Sequence, residues 1–376
     1  MRFVKVTIKR GLKFRIYPNK AQKILINKTL GCGRFVYNHF LRIRMDEWKF
    51  NHKSISYKDT NKMLTDLKKY PEYSWLKEVD STSLQNSLRD LQRAYDNFFA
   101  KRAKLPCFKS KHNHTQSYRS QLTNDNIRAV GNRIQLPKIG RVKTKFSREV
   151  VGKISNATIT RTASGKYFVS LCVEYETELQ PSAGGQVGID VGIKSFYSDS
   201  NGNVVKNPKF LAKYMKKLVR EQRKLSRKKL GSGQWEKQRV RVTRIYEKIT
   251  NTRNDFQHKL SYRLANENSL VAVEKLNIKS MMKNKKLAKA ISDAAWGMFF
   301  TKLTYKITER NGKLVKIPTF YPSSQTCHIC GFQNPIVKNL SVRDWVCPQC
   351  GKSLDRDKNA AINILKKALS MKTEAA

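Results

Sequence analysis

Acidic residues are scarce in this sequence. Its 376 residues include 28 Asp and Glu against 76 Lys and Arg, which gives a formal net charge of +48 at pH 7. A charge imbalance of this size has to be neutralised by a polyanion, because solubility requires far less charge. Nucleic acid is the first candidate for that polyanion, and an anionic membrane surface is the alternative.

Long apolar runs are also missing. No stretch approaches the roughly 20 apolar residues that a membrane span requires, and the start, MRFVKVTIKRG, does not read as a signal peptide. The composition is that of a globular chain, with 39% hydrophobic residues and only ten prolines. We therefore expect a cytosolic protein with two or three domains and no membrane partner.

Only seven cysteines are present, and four of them form two pairs, Cys327-x2-Cys330 and Cys347-x2-Cys350. Four thiolates at this spacing satisfy the tetrahedral preference of zinc and leave no position for a water molecule. The pairs therefore predict one structural zinc ion in a reducing compartment, not a disulfide scaffold. We do not expect His328 to be a ligand, since its neighbours complete the coordination. The other cysteines are interpreted as structural thiols: Cys32, Cys107 and Cys172.

The first half of the chain changes from strand to helix periodicity and back. Alternation from Val4 to Ile16 predicts two short strands separated at Gly11. Helical periodicity follows in GRFVYNHFLRIRMDEW and in an amphipathic helix that begins near Ser81 or Ser83. Strands return in IQLPKIGRVKTKF and in the hairpin NATITRTASGKYFVSLCVEY. This order predicts a small β-barrel with a helical insertion.

Strands and helices alternate in the second half, after the linker ELQPSAGGQ. The stretch VGIDVGIKSFYSDSNGNVV predicts a strand and a hairpin, and SLVAVEKL and KLVKIPTF predict two further strands. One helix is expected through Leu287 to Ile307, and a final helix from about Lys358. The alternation predicts a parallel or mixed α/β sheet.

Two helices are expected between the hairpin that ends in NGNVV and the strand SLVAVEKL, and they are separated by GSG at 231–233. The stretch from Lys206 to Lys259 contains 18 basic and four acidic residues. A helical hairpin with its apolar seam inward would place these bases outward, where they could line a channel for a polyanion. A merely solvated face is the alternative.

Three carboxylates stand out by their positions. Asp190 lies in GIDVG, where the apolar residues point one way and Asp190 faces the other way between small glycines. Glu274 ends the apolar run SLVAVE, where a buried acid is usually paired or bound to a metal. Asp357 begins the last helix, where a plain N-cap is the alternative and Asp355 is an equally good capper. Together they predict a site for two Mg²⁺ ions about 3.5–4 Å apart, suited to in-line displacement at phosphorus.

Four stretches resemble, in order, the RuvC-like nuclease domain of the TnpB family: GIDVGIKSF, VAVEKLNIKSM, SSQTCHICG…WVCPQCG and DRDKNAAINIL. The front of the chain is also similar to that family in LKFRIYPNKAQ, GCGRFVYNHFL and LPCFKSK. The family consists of transposon-encoded, RNA-guided DNA endonucleases related to the type V CRISPR nucleases. The resemblance implies that Asp190, Glu274 and Asp357 form the catalytic, magnesium-binding triad. The triad and the ribbon cysteines match the family's pattern at all seven positions. The resemblance therefore favours an active nuclease over the inactivated relatives that act as repressors.

The resemblance also implies a domain organisation. We expect an RNase H-like (RuvC) nuclease domain with an inserted four-Cys zinc ribbon, and an N-terminal β-barrel (wedge-like) domain with a helical recognition insertion. The expected ranges are 1–18 and 105–180 for the barrel, 19–104 for the helical insertion, 181–322 and 353–376 for the nuclease domain, and 323–352 for the ribbon.

The partners implied by the resemblance are a guide RNA derived from the mobile element and a double-stranded DNA target. The guide reads sequence by base pairing, and the protein reads a short flanking motif. Location in a prokaryotic cytoplasm, with nucleoid association on DNA, is expected. Candidate base contacts, for which ordinary capping and solvated polar positions are the alternative, are Tyr57, Ser81, Ser83, Gln85 and Asn86.

The ribbon leads directly into the helix that presents Asp357. We hypothesise that closed zinc coordination fixes this entry and so positions Asp357. Two other functions remain open from the sequence: a guided DNA-binding repressor that does not cleave, and an unguided transposase.

Overall fold

The computed structural model of the protein describes residues 5–339 and 341–373. The chain divides into two compact units, one formed by Lys5–Thr177 and the other from Glu178 onward. Val4, which the alternation assigns to the first strand, lies outside the described residues. No helix in the described part of the chain is long and apolar enough to cross a membrane.

The first unit is built on a seven-stranded sheet with the strand order β2-β6-β7-β1-β5-β4-β3. Its strands are β1 (Lys5–Tyr17), β2 (Gln116–Gln121), β3 (Arg128–Val130), β4 (Arg133–Leu136), β5 (Gly140–Lys145), β6 (Lys153–Arg161) and β7 (Tyr167–Glu178). The prediction of two short strands separated at Gly11 is wrong, because β1 runs through this residue without interruption. Alternate side chains of β1, at Leu12, Phe14 and Ile16, are buried in the core of the unit.

Three helices lie between β1 and β2: α1 (Lys20–Asn51), α2 (Tyr57–Leu67) and α3 (Ser81–Phe99). The amphipathic helix α3 begins at Ser81 as predicted, where Asp80 accepts a hydrogen bond from the Thr82 backbone. The buried face of α3 packs with residues of α1 in a separate core. Cys32 is buried in that core and Cys172 is half-buried, whereas Cys107 is exposed and does not fit the interpretation as a structural thiol.

The second unit contains a five-stranded mixed sheet with the order β10-β9-β8-β11-β12. Its strands are β8 (Gly185–Val191), β9 (Ser195–Asp199), β10 (Val204–Lys206), β11 (Asn268–Glu274) and β12 (Lys313–Ile317). Strand β11 is parallel to both β8 and β12, and β9 is antiparallel to β8 and β10. The mixed sheet predicted from the alternation of elements is therefore present.

The helices of this unit are α4 (Phe210–Ser226), α5 (Gly233–Glu267), α6 (Ile278–Met281), α7 (Lys285–Ala294), α8 (Trp296–Thr308) and α9 (Arg356–Thr373). The prediction of one helix from Leu287 to Ile307 is wrong. Ala295 has a left-handed backbone with φ of 52°, which ends α7 and begins α8. The break allows Ile291 before it and Phe299 after it to reach the same core.

A small two-stranded sheet, β13 (Asp344–Val346) paired with β14 (Ser353–Asp355), stands between β12 and α9. It contains the second cysteine pair in its turn. Trp345 and Leu354, which lie opposite each other, are buried with Cys327 and Cys347 in a core of their own. This small core depends on the cysteines, since few other apolar groups contribute to it.

Candidate active site and metal centres

The four paired cysteines meet at one point. The Sγ atoms of Cys327 and Cys350 lie 3.7 Å apart, those of Cys330 and Cys347 lie 3.6 Å apart, and all four lie within 4.8 Å of one another. Each pair sits in the same kind of turn. In both turns the backbone of the first cysteine accepts a hydrogen bond from the glycine that follows the second cysteine.

These distances fit zinc. Zn–S bonds of about 2.3 Å in a tetrahedron place neighbouring sulfur atoms about 3.8 Å apart, whereas a disulfide needs about 2.05 Å. The cluster can therefore hold a metal ion such as zinc with four thiolates. His328 is not a member of the group of ligand atoms and instead bonds to Asn359.

Two of the three predicted acids lie at the ends of adjacent parallel strands. The register pairs Val273 of β11 with Ile189 of β8, so Glu274 and Asp190 occupy the next step on each strand. Both side chains are half-buried. Because the carboxyl ends of parallel strands meet at one edge of a sheet, this edge receives two carboxylates from residues 84 positions apart in the sequence.

Helix α9 brings the third acid to this edge. A Cβ atom built at Gly188 would lie 2.1 Å from the carbonyl oxygen of Ala361 and 2.9 Å from Cβ of Leu365. Only glycine allows α9 to approach β8 this closely. Asp357 precedes Ala361 by one helical turn, and Asp190 follows Gly188 on the same face of the strand. The two carboxylates therefore lie on facing surfaces of α9 and β8.

The electrostatics of Asp190 reflect this convergence. Burial first, and then the negative charges of Asp357 and Glu274, together raise the pKa of Asp190 to about 7, against the opposing effect of Arg356 and Arg343. Burial also raises the pKa of Glu274. Asp190 is thus close enough to the other two carboxylates to be affected by their charges, and a cation would relieve that repulsion.

The three acids are not, however, gathered around a single point. Among the described residues, only the four cysteines bring three or more such ligand atoms within 4.8 Å of one another. Arg343 Nη1 donates to both carboxylate oxygens of Asp357, at 3.1 and 3.2 Å. Arg343 could not be singled out from the sequence, since nothing in VRDWVC marks this arginine as different from the 75 other Lys and Arg residues.

Asp355 takes the capping role that the sequence left open. Its Oδ1 accepts a hydrogen bond of 2.7 Å from the backbone of Lys358 in the first turn of α9. Because Asp355 satisfies this donor, Asp357 does not have to serve as the cap. The carboxylate of Asp357 is available for Arg343 or for a cation.

The residues predicted to contact bases differ in how exposed their side chains are. Ser83 and Asn86 are buried, at 1% and 2% exposure. Ser83 donates to the Asp80 carbonyl, and Asn86 donates to the Arg119 carbonyl. The structure corrects the prediction for these two residues, because a base contact needs a polar atom free at the surface. Ser81, Gln85 and Tyr57 retain surface exposure.

Helices α4 and α5 form the predicted hairpin, joined at Ser232, which caps α5. Their apolar seam is buried, and most of their basic residues are exposed, whereas Arg253 is largely covered and pairs with Asp293. One charged residue of the hairpin, Glu221, is buried. Its carboxylate accepts a hydrogen bond of 2.9 Å from Gln238, and this bond joins the two helices. A cleft of about 340 Å³ near the turn is lined chiefly by bases: Lys224, Arg227, Lys228, Gln234, Lys237, Gln238 and Arg241.

Three protein-family models match the chain. OrfB_IS605, described as "Probable transposase", matches residues 170–285, and the Cas12f1-like TNB domain matches residues 296–364. A helix-turn-helix domain of the same OrfB family matches residues 7–53, which the structure shows as β1 followed by the single helix α1.

Relatives and solved structures that cover nearly the whole chain include the following three. A protein of Streptomyces pristinaespiralis, named as a proposed RNA-guided DNA endonuclease, is 38% identical over 96% of this chain and 90% of its own length. InsQ of Escherichia coli K12, named in the same way, is 33% identical over 95% and 91%. The cryo-EM structure of a Cas12f1–sgRNA–target DNA complex covers 95% of this chain and 98% of the matched chain, with a TM-score of 0.57 and 14% identity.

These matches define a class first: a multidomain α/β protein with a Cas12f-like fold and a four-cysteine centre. The identity to the Streptomyces protein over nine-tenths of its length is decisive within that class. The chain belongs to the TnpB family, the OrfB proteins of IS605-type elements.

Proposed function

We propose that the protein is an RNA-guided DNA endonuclease that hydrolyses phosphodiester bonds at the site formed by Asp190, Glu274 and Asp357. The observation that supports the proposal is that Glu274 and Asp357 lie near Asp190 at the end of β8 and β11, where burial and the charges of these two acids together raise the pKa of Asp190 to about 7. A carboxyl group whose pKa is raised by burial and by neighbouring acids is typical of functional sites, and a bound cation would relieve the repulsion. The names of the relatives support the same activity.

The sheet supports an RNase H-like interpretation of the second unit. In chain order, its strands lie as third, second, first, fourth and fifth, with the first three antiparallel and the last two parallel to the first. We propose that residues 181–322 and 353–376 form this nuclease domain and that the ribbon, 323–352, is its insertion. The seven-stranded sheet of the first unit would be the barrel, and α1 to α3 its recognition insertion.

The donor set of the acidic site suits magnesium, since three carboxylates and no nitrogen or sulfur ligand are the choice of a hard cation. Two bound Mg²⁺ ions would supply charge neutralisation at the phosphate and an activated water molecule. The protein contributes rigid placement of the donors: β8 and β11 fix the first two through their pairing, and α9 carries the third. The ribbon cysteines would bind one structural zinc ion.

The charge of the chain suits two polyanions, a guide RNA and its DNA target. Sequence would be read by base pairing, while the protein reads duplex shape and a short flanking motif. We propose the bases around the turn of the α4–α5 hairpin as one phosphate-binding surface. Tyr57, Ser81 and Gln85 are the candidates left for contacts with the flanking motif.

One preparation tests the proposal. The full-length protein is purified from cells that carry its mobile element, and the bound RNA is sequenced. A defined scaffold with a variable 3′ end is expected, and random fragments would contradict guiding and favour an unguided transposase. The same complex is then incubated with matching DNA in Mg²⁺ or in EDTA.

Cleavage in Mg²⁺ alone is expected, and Asp190→Ala should lose cleavage while retaining RNA. Binding of matched DNA without cleavage by the native protein would instead identify a repressor. Equal cleavage by Asp190→Ala would exclude the proposed site.

A further inference from the structure

Helix α9 contacts two different structures with two opposite faces. Ala361 and Leu365 face β8, as the close approach at Gly188 shows, and Asp357 lies one helical turn before Ala361 on the same side of α9. Asn359 and Asn363, also four residues apart, face the segment that leads into the first cysteine pair. The rotation of α9 about its own axis therefore determines both contacts together.

The two asparagines are buried, at 1% and 3% exposure. Asn359 Nδ2 donates to the Thr326 carbonyl at 2.8 Å, and Asn363 Nδ2 donates to the Ser323 carbonyl at 2.8 Å and to the Thr326 carbonyl at 2.6 Å. Moving these buried amide groups would lower the stability of the fold, because each lost hydrogen bond leaves an unsatisfied polar atom.

Asn359 also bonds to the other side of Cys327. Its Oδ1 accepts hydrogen bonds of 2.9 Å from the backbone nitrogen of His328 and from His328 Nδ1. The Asn359 side chain thus forms hydrogen bonds with the residues on both sides of Cys327, Thr326 before it and His328 after it. The backbone conformation around Cys327, which four-thiolate coordination fixes, is transmitted directly to the first turn of α9.

We propose that Asn359 and Asn363 are positioning residues that couple the ribbon metal to the acidic site. The asparagines hold α9 in the rotation that directs Asp357 toward Asp190, so that the affinity of the acidic site for a divalent cation depends on the conformation of the first cysteine turn. This inference rests on the proposed function, because it assumes that the three acids bind a cation.

Asn359→Asp tests the coupling, because aspartate has the same shape and still accepts from His328 but cannot donate to Thr326. The full-length protein is titrated with Mn²⁺, and the bound ion is followed by electron paramagnetic resonance. The acidic-site ion is the fraction that Asp190→Ala abolishes. The affinity for this ion should fall about tenfold or more, and the Mg²⁺ concentration for half-maximal cleavage should rise accordingly, while one zinc per chain is retained.

Gln333→Glu is the matched control, since it makes the same amide-to-acid change on an exposed ribbon residue and should leave Mn²⁺ affinity unchanged. If Asn359→Asp loses zinc, Asn363→Ser carries the test, because it removes two donated bonds without adding charge. A native protein with no Asp190-dependent Mn²⁺ would overturn the proposed function and the coupling with it. A native protein that binds this ion, with zinc-loaded asparagine variants that bind it equally well, would overturn the coupling alone.

Discussion

Arg343 of the ribbon and Asp357 of α9 form an ion pair in which one guanidinium nitrogen contacts both carboxylate oxygens, at 3.1 and 3.2 Å. The pair joins the segment between the cysteines to the third acid of the proposed site. Arg343 also lowers the pKa of Asp190, against the effects of burial and of the other two acids. The arginine is therefore part of the charge balance at the proposed cation site.

Arg343→Ala should shift the pH dependence of cleavage. Without the arginine the pKa of Asp190 rises above about 7, so a higher pH is needed to remove the proton that competes with a cation. The rising limb of the rate against pH should move to higher pH. Arg343→Lys, which keeps the charge, should move it less, and an unchanged profile for Arg343→Ala would contradict this role.

Asp190→Asn should stabilise the metal-free protein in a pH-dependent way. The pKa of Asp190 is about 7 in the folded protein against 3.8 for the ordinary group, so the folded state binds the proton more tightly. The free energy of unfolding therefore falls as pH rises between these values. In EDTA, the melting temperature of the variant should exceed that of the native protein by a margin that grows from pH 4 to pH 7 and then stays constant. A margin independent of pH would contradict the raised pKa.

Gly188→Ala should separate α9 from β8. The added methyl group would overlap the Ala361 carbonyl, a backbone atom that cannot move alone. We expect a loss of about 1–3 kcal/mol in the free energy of unfolding and a larger loss of cleavage than of DNA binding. Gly233→Ala, where no atom lies within 4 Å of the added methyl group, is the control and should cleave normally.

Cys350→Ser should lower both zinc content and cleavage, because the ribbon leads directly into α9. Zinc per chain, melting temperature and cleavage rate are measured on the same preparation. Cys107→Ser, at an exposed cysteine outside the cluster, should change none of them. A zinc-depleted Cys350→Ser protein that binds DNA and cleaves at the native rate would show that the ribbon does not position Asp357.

The basic hairpin can be tested by salt. Replacing Arg227, Lys237 and Arg241 together with glutamine should lower the slope of log affinity for the nucleic acid against log salt by about 2 to 3, if each contacts a phosphate. The triple variant that exchanges lysine and arginine at the same positions keeps the charge and should keep the slope. Equal slopes for both variants would place the phosphate contacts elsewhere.

Much of the secondary structure and both candidate metal sites could be predicted from short sequence patterns, because such patterns depend on interactions between residues close together in the chain. Alternating apolar residues predicted β7, a continuous apolar run predicted β11, the spacing of the cysteines predicted the cluster, and a carboxylate at the end of that apolar run marked Glu274. The roles of Arg343, Asn359 and Asn363 could not be predicted, since their partners are brought to them by tertiary structure. Asn86 fails as a surface residue for the same reason: its partner, Arg119, comes from β2.

The parallel pairing of β8 with β11 has an evolutionary consequence. The chain leaves the sheet after β10 and forms the α4–α5 hairpin. It then returns to the sheet as β11, which lies beside β8, the first strand of this sheet in the chain. Residues can be inserted or deleted at the turn near Gly231 without altering the spacing between the carboxylates of Asp190 and Glu274. Related chains can therefore differ in the length of the α4–α5 hairpin while they keep the same arrangement of acids at the proposed site.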